Sequence, residues 1–252
     1  MAEIKIISEN MLRYLSGVSG FNLIYLEKDY FLTIMLYLLK DVKNICFKGG
    51  TALNKIFLNH TRLSEDLDFT CCKNMPDAKN EIANILENSR NIFAGYVFEN
   101  QTDKFFRLKV FYNSYFSGKS HIILDVNGNA SVILPPKPRE VGHFYESLPK
   151  FETLVLNPDE LIAEKVRAMI MRNQPRDYFD VYMILKSGYK IDFGLVKKKL
   201  KEANQDFAVA RIFKNAQKIY SRWESEIKQL TNKPADFVEV IKSLQKEFKY
   251  KS

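Results

Sequence analysis

Phe47-Lys48-Gly49-Gly50-Thr51-Ala52-Leu53, followed shortly by Arg62-Leu63-Ser64-Glu65-Asp66-Leu67-Asp68-Phe69, decides how this chain is read. The first stretch runs from a strand-like segment through two glycines into a helical pattern. Glycines let a backbone approach a polyphosphate closely, and a helix N-terminus offers unpaired amides and the positive end of its dipole. Lys48, Gly49, Gly50 and Thr51 therefore form a candidate phosphate-binding turn, with the Thr51 hydroxyl as an added donor. In the second stretch Asp66 and Asp68 stand two apart. On an extended strand they project from one face, about 6.5 Å apart, and can share bound cations. Their hard oxygens suit Mg²⁺, which binds one or two carboxylates together with waters and substrate phosphates.

A third carboxylate, Asp125, interrupts the apolar run Ile122-Ile123-Leu124-Asp125-Val126. A charge there is costly unless paired or metal-bound. It fits as the residue that completes a two-metal site from a neighbouring strand and accepts a proton from the nucleophile. The other reading, an exposed strand end making an Asx turn beside Asn127-Gly128, stays open. Arg62 and Ser64 flank the aspartates and suit either a nucleotide phosphate or the local turn.

Working outward, apolar positions Leu23, Leu26, Tyr30, Ile34 and Leu38 recur at helical spacing ahead of the glycine turn. Segments 45–47, 67–69, 96–98, 105–112 and 121–126 are β-branched and aromatic, and read as strands of one sheet. Stretches 52–58 and 76–93 read as helices between them. The run Leu134-Pro-Pro-Lys-Pro138 interrupts regular structure and predicts a loop. From Asn157-Pro158-Asp159-Glu160, a helix-start signal, the pattern is helical to the end. The expected fold is α+β: a mixed sheet flanked by helices over residues 1–155, then a helical bundle over 156–252.

The net charge of +8 is confined to one end: residues 186–252 hold 16 Lys and Arg against 8 Asp and Glu. A basic helical surface suits a polyanionic partner such as RNA, although a merely solvated lysine-rich face is the plainer explanation. The three cysteines, Cys46, Cys71 and Cys72, have no metal-ligand spacing and are expected to be buried, reduced thiols. Trp223 is expected in the core. No long apolar stretch suggests a membrane span and the start lacks a signal-peptide pattern, so a cytoplasmic location is expected.

The combination GGTALNKIF and RLSEDLDF resembles the polymerase-β-like nucleotidyltransferase signature. More narrowly, Leu26-Glu27-Lys28-Asp29-Tyr30, Leu124-Asp125-Val126, Glu164-Lys165-Val166-Arg167 and Arg176-Asp177-Tyr178-Phe179-Asp180 resemble the AbiEii and MenT toxin family over residues 20–185. The interval from Gly50 to Asp66 fits that family and argues against antibiotic-modifying enzymes. The resemblance implies NTP as substrate, triphosphate on Gly49, Gly50 and Thr51, Mg²⁺ on Asp66 and Asp68, Lys165 on a phosphate, and Asp180 as a late acidic residue. It further implies nucleotide addition to a tRNA 3′ end, and a separately encoded antitoxin as partner. Transfer to a protein or small molecule, and a non-catalytic nucleotide- or RNA-binding role, are the rival readings. Arg176 and Asp180, at i and i+4, can also pair on a helix surface. Glu27, Lys28 and Asp29 read as packing and solubility residues, with Lys28 or Asp29 as a possible buttress of the site.

Overall fold

Seven strands of the N-terminal part hydrogen-bond into one mixed sheet: β1 (Ile45–Lys48), β2 (Asp66–Cys71), β3 (Gly95–Thr102), β4 (Phe105–Ser114), β5 (Gly118–Asn127), β6 (Lys137–Glu140) and β7 (Glu152–Val155). Their spatial order is β3-β4-β5-β2-β1-β7-β6. The coordinates come from a computed structural model and describe residues 4–250. Two compact units divide the chain, the first ending at Asn157 and the second starting at Pro158.

Period-two alternation makes the β4–β5 part of this sheet one-sided. Phe106, Leu108, Val110 and Tyr112 of β4, and Ile122, Leu124 and Val126 of β5, are buried. The alternate residues Arg107, Lys109 and Phe111, and His121, Ile123 and Asp125, are half-exposed on the opposite face. Each such buried side chain contributes roughly 1.5–3 kcal/mol. A one-residue slip of β4 that turned its four buried side chains outward would cost about the net stability of a domain, so the register is firmly set.

Helix α2 (Leu23–Leu38) is buried along most of its length, with Phe31 stacked on Tyr112 at 4.0 Å. It follows α1 (Glu9–Ser19), a helix that sequence patterning missed. Beyond β1 the expected 52–58 helix is instead a short α3 (Gly49–Ala52) that widens into a π-helical turn, Leu53–Phe57. There the Leu58 amide donates five residues back to the Leu53 carbonyl, and Asn54 Nδ2 takes the Gly50 carbonyl at 3.0 Å. The Asn54 side chain thus occupies the acceptor that a continuing α-helix would offer its own amide. Helix α4 (Met75–Glu87) links β2 to β3. The proline-rich loop also needs correction, since β6 begins within it, at Lys137. Pro138 is tolerated because β6 is an edge strand.

The second unit is helical: α5 (Pro158–Arg172), α6 (Pro175–Lys186), α7 (Phe193–Glu202), α8 (Ala210–Lys214), α9 (Ala216–Ile227) and α10 (Phe237–Glu247). Trp223 is buried and donates to the Ala235 carbonyl at 2.9 Å. Lys199, fully buried, is paired with Glu160 and Glu164 of α5 and fixes α7 against it. Of the cysteines only Cys46 is buried; Cys72 is exposed, contrary to expectation, because it lies just beyond the end of β2. No helix among the described residues is long and apolar enough to cross a membrane.

Candidate active site

The three aspartates share one face of the sheet because two different pairings flank β2. Antiparallel pairing with β1 sets Lys48 opposite Asp68, and parallel pairing with β5 sets Asp68 opposite Asp125. Antiparallel pairing of β5 with β4 then sets Arg107 opposite Asp125. One row across the open face of the sheet therefore reads Lys48, Asp68, Asp125, Arg107. Asp66 lies on that same face, two residues back along β2.

The glycine turn is packed directly on this row. Gly49 has φ +77°, and a Cβ built there would lie 2.1 Å from Asp68 Oδ2. Only glycine permits both the conformation and the approach. The Thr51 hydroxyl is buried and donates to the Asp66 carbonyl, so it ties the turn to the aspartate strand. Asn54 Oδ1 accepts from Thr61 Oγ1 at 2.7 Å and the Arg62 amide at 3.2 Å, holding the segment that enters β2. Arg62 is 2% exposed and its guanidinium donates to the Leu63 carbonyl at 2.8 Å. Ser64 is buried beside it. Of the two readings open for Arg62, these contacts belong to the local turn.

Asp125 holds Arg107 through two bonds, at 2.8 and 2.7 Å. This bidentate pairing raises the Arg107 pKa further above its ordinary value. The Asx turn forms one step later, where Asn127 Oδ1 accepts from the Asn129 amide at 2.7 Å. Arg107 was missed in the sequence. Its signal was the alternation of Arg107 and Lys109 with buried apolar residues along β4.

The acidic stretch of α2 also proves specific. Glu27, 1% exposed, accepts from the Tyr115 amide at 2.7 Å and from Ser114 Oγ, so it caps the β4–β5 turn. Asp29 is buried with Lys55 at 2.8 Å and Tyr145 Oη at 2.9 Å. Lys28 lies 3.6 Å from Glu65, next to Asp66. The solubility reading is thus corrected for Glu27 and Asp29, which are internal partners. His60 is buried nearby with Nε2 lacking a hydrogen-bond partner, and burial, with Lys55 adding, pushes its pKa down to about 4.

In the helical unit the Lys165 ammonium is held by Asp177 at 3.2 Å and Asp180 at 2.9 Å. Arg172 forks onto Asp177 at 2.7 and 2.8 Å. Burial favours the neutral acid at Asp177, but Lys165 and Arg172 outweigh it and hold the carboxyl below its ordinary range.

The donor set suits a hard cation. Asp66 and Asp68 put two carboxylates on one face beside the glycine turn, a donor pair that would suit Mg²⁺ with phosphates and waters completing its shell. Among the described residues no three acid, imidazole or thiol side chains form a ready-made cage, and the Asp125 carboxylate is engaged by Arg107.

Comparisons with known proteins agree with this arrangement. The sequence profile described as "Nucleotidyl transferase AbiEii toxin, Type IV TA system" matches residues 31–248. Among solved structures, MenT4, a nucleotidyltransferase toxin from Mycobacterium tuberculosis H37Rv, superposes with a TM-score of 0.70 at 18% identity, covering 98% of this chain and 91% of that one. JHP933 from Helicobacter pylori gives 0.60 at 20% identity, covering 91% and 92%. At these identities the likeness is one of fold. No curated relative matches the sequence.

Proposed function

The chain belongs to the AbiEii nucleotidyl transferase toxin family of type IV toxin–antitoxin systems, and from that premise we propose NMP transfer from an NTP to an RNA 3′ hydroxyl, foremost that of tRNA. Membership makes it a nucleotidyltransferase and a toxin. The observation that carries the finer reading is the packing of the Gly49 turn onto Asp68, with Asp66 and Asp125 on the same face.

In this reading the triphosphate lies on Lys48, Gly49, Gly50 and the amides at the start of α3. Thr51 and Asn54 keep that turn registered on β2. Asp66 and Asp68 would hold Mg²⁺, with Asp125 a third donor once its carboxylate leaves Arg107. Bound Mg²⁺ supplies charge neutralisation on the phosphates. The acceptor oxygen bonds to the α-phosphorus, the bond to the bridging oxygen breaks, and pyrophosphate leaves. The hydroxyl proton passes to Asp125. In the helical unit, Lys165, Asp177 and Asp180 act on α5 and α6, fixing one helix on the other. The excess of basic residues from Lys186 onward is the polyanion-binding surface, and the neutralising partner is a separately encoded antitoxin.

The deciding experiment incubates purified protein with Mg²⁺, total RNA and each α-³²P-labelled NTP in turn, with Asp66→Ala as control. Label in a tRNA-sized band, absent from the control, is expected. Incorporation by Asp66→Ala overturns the site, and label entering protein or a small molecule instead overturns the acceptor.

A further inference from the structure

The face that carries the aspartates continues beyond them. On β5, Lys119, His121, Ile123 and Asp125 lie on this face, and from His121 to Asp125 they alternate with buried Ile122 and Leu124. On β4, Phe111 pairs with His121, and Lys109 with Ile123. The Phe111 and His121 rings lie 6.3 Å apart, edge-on at 62°, and both are half-exposed. The Lys119 ammonium sits 5.0 Å above the Phe111 ring. Lys109 and Lys28 are close enough to disfavour a positive His121, whose pKa is lowered first by burial and then by these two. This patch is an aromatic pair flanked by three lysines, of which Lys28 lies 3.6 Å from Glu65 and Lys109 4.0 Å from Glu99, and neither the phosphate turn nor the aspartates use it.

Its position relative to the chemistry identifies its ligand. The phosphate turn follows β1, on one side of β2, and β5 and β4 lie on the other. Attacking and leaving oxygens stand roughly in line across the transferred phosphorus. With pyrophosphate departing over the β1 side, the acceptor hydroxyl arrives over β5 and β4. His121 is four residues from Asp125, about 13 Å along the strand.

We propose that Phe111, with His121 edge-on beside it, is the stacking platform for a base near the 3′ end of a single-stranded RNA acceptor, with Lys28, Lys109 and Lys119 meeting its phosphates. The assignment rests on the nucleotidyl-transfer reading above and adds to it where the acceptor is held. Aromatic side chains stack any base, because every base has a π-face, and lysines around them track the backbone. A peptide acceptor would leave both the ring faces and this cluster of cations poorly matched.

The test measures fluorescence anisotropy of a labelled single-stranded RNA ending in a 3′-deoxynucleotide, bound to the full chain. Proteins compared are wild type, Phe111→Ala, Phe111→Trp and His121→Ala. NTP affinity is measured in parallel. Phe111→Ala is expected to weaken RNA binding about ten-fold or more, Phe111→Trp to retain it, and neither to change NTP affinity by more than about two-fold. RNA affinity in Phe111→Ala within two-fold of wild type overturns the platform, as does absence of RNA binding by wild type. Equal loss of RNA and NTP affinity in both alanine variants signals general damage to the sheet and also overturns it. RNA binding that depends on Phe111, without label transfer from any NTP, leaves the platform standing and removes the RNA-transfer reading beneath it.

Discussion

Gly49 and Asp68 leave no room for a methyl group between them: a Cβ on Gly49 would stand 2.1 Å from Asp68 Oδ2. The glycine turn and the Asp68 carboxylate, assigned above to phosphate and cation in the proposed reading, are therefore parts of one packed unit. Gly49→Ala must move Asp68 or distort a left-handed turn, at a conformational cost of about 1 kcal/mol before any clash. The expected outcome is a loss of nucleotide transfer of at least about 100-fold, as a misplacement near 1 Å can produce, with the far-ultraviolet circular dichroism unchanged. Wild-type rates in Gly49→Ala would show that the turn is not coupled to the site.

Arg107 competes with any cation for Asp125. Replacing it by methionine frees both carboxylate oxygens while costing little stability, because the pair is partly solvent-exposed. The Mg²⁺ concentration giving half-maximal transfer should fall several-fold in Arg107→Met and rise in Asp125→Asn. A titration in which neither variant moves would remove Asp125 from the cation site.

Lys165 neutralises two fully buried aspartates. Lys165→Met leaves them without that partner, and breaking a buried pair from one side costs roughly 3–5 kcal/mol. Urea unfolding should show a clear drop in midpoint. Introducing Asp180→Asn as well should recover part of it. An unchanged midpoint in Lys165→Met would mean that the cluster does not support the helical unit.

His60 gives the first unit a dependence on acid. Its folded pKa of about 4 lies below the ordinary value of 6.5, so the unfolded chain binds the proton first as pH falls. Stability is then full above about pH 6.5 and declines down to about pH 4, by roughly 3 kcal/mol for this one group. Melting temperatures over that range should fall more in wild type than in His60→Phe, a variant that keeps the ring contact with Phe144. Parallel curves would show that other groups carry the acid loss.

Much of the sheet was legible because its chemistry is local. Alternating residues in β4 and β5, the two glycines after β1, and the paired aspartates of β2 each announce themselves within a few positions. The strands β6 and β7 did not, being four residues each and, in β6, wholly exposed and containing proline. Helix α1 escaped because only Leu12 of its eleven residues is buried. The π-helical turn was hidden for another reason: a side chain, Asn54, takes a carbonyl that propensity assigns to backbone.

What the sequence by itself determined is the chemistry at hand: a glycine turn entering a helix, carboxylates two apart on a strand, and a basic helical tail. Spacing and side-chain type set these through local geometry. Tertiary structure alone decided who meets whom. Asp125 reaches Asp68 only because β5 lies parallel beside β2, and Arg107 reaches Asp125 only through the next strand. Glu27 and Asp29 are charged residues on a helix until burial gives them the β4–β5 turn and Lys55 as partners. The physical reason is that a buried charge needs a partner whose position depends on strand order and register, and these are set by long-range burial of the sheet's other face.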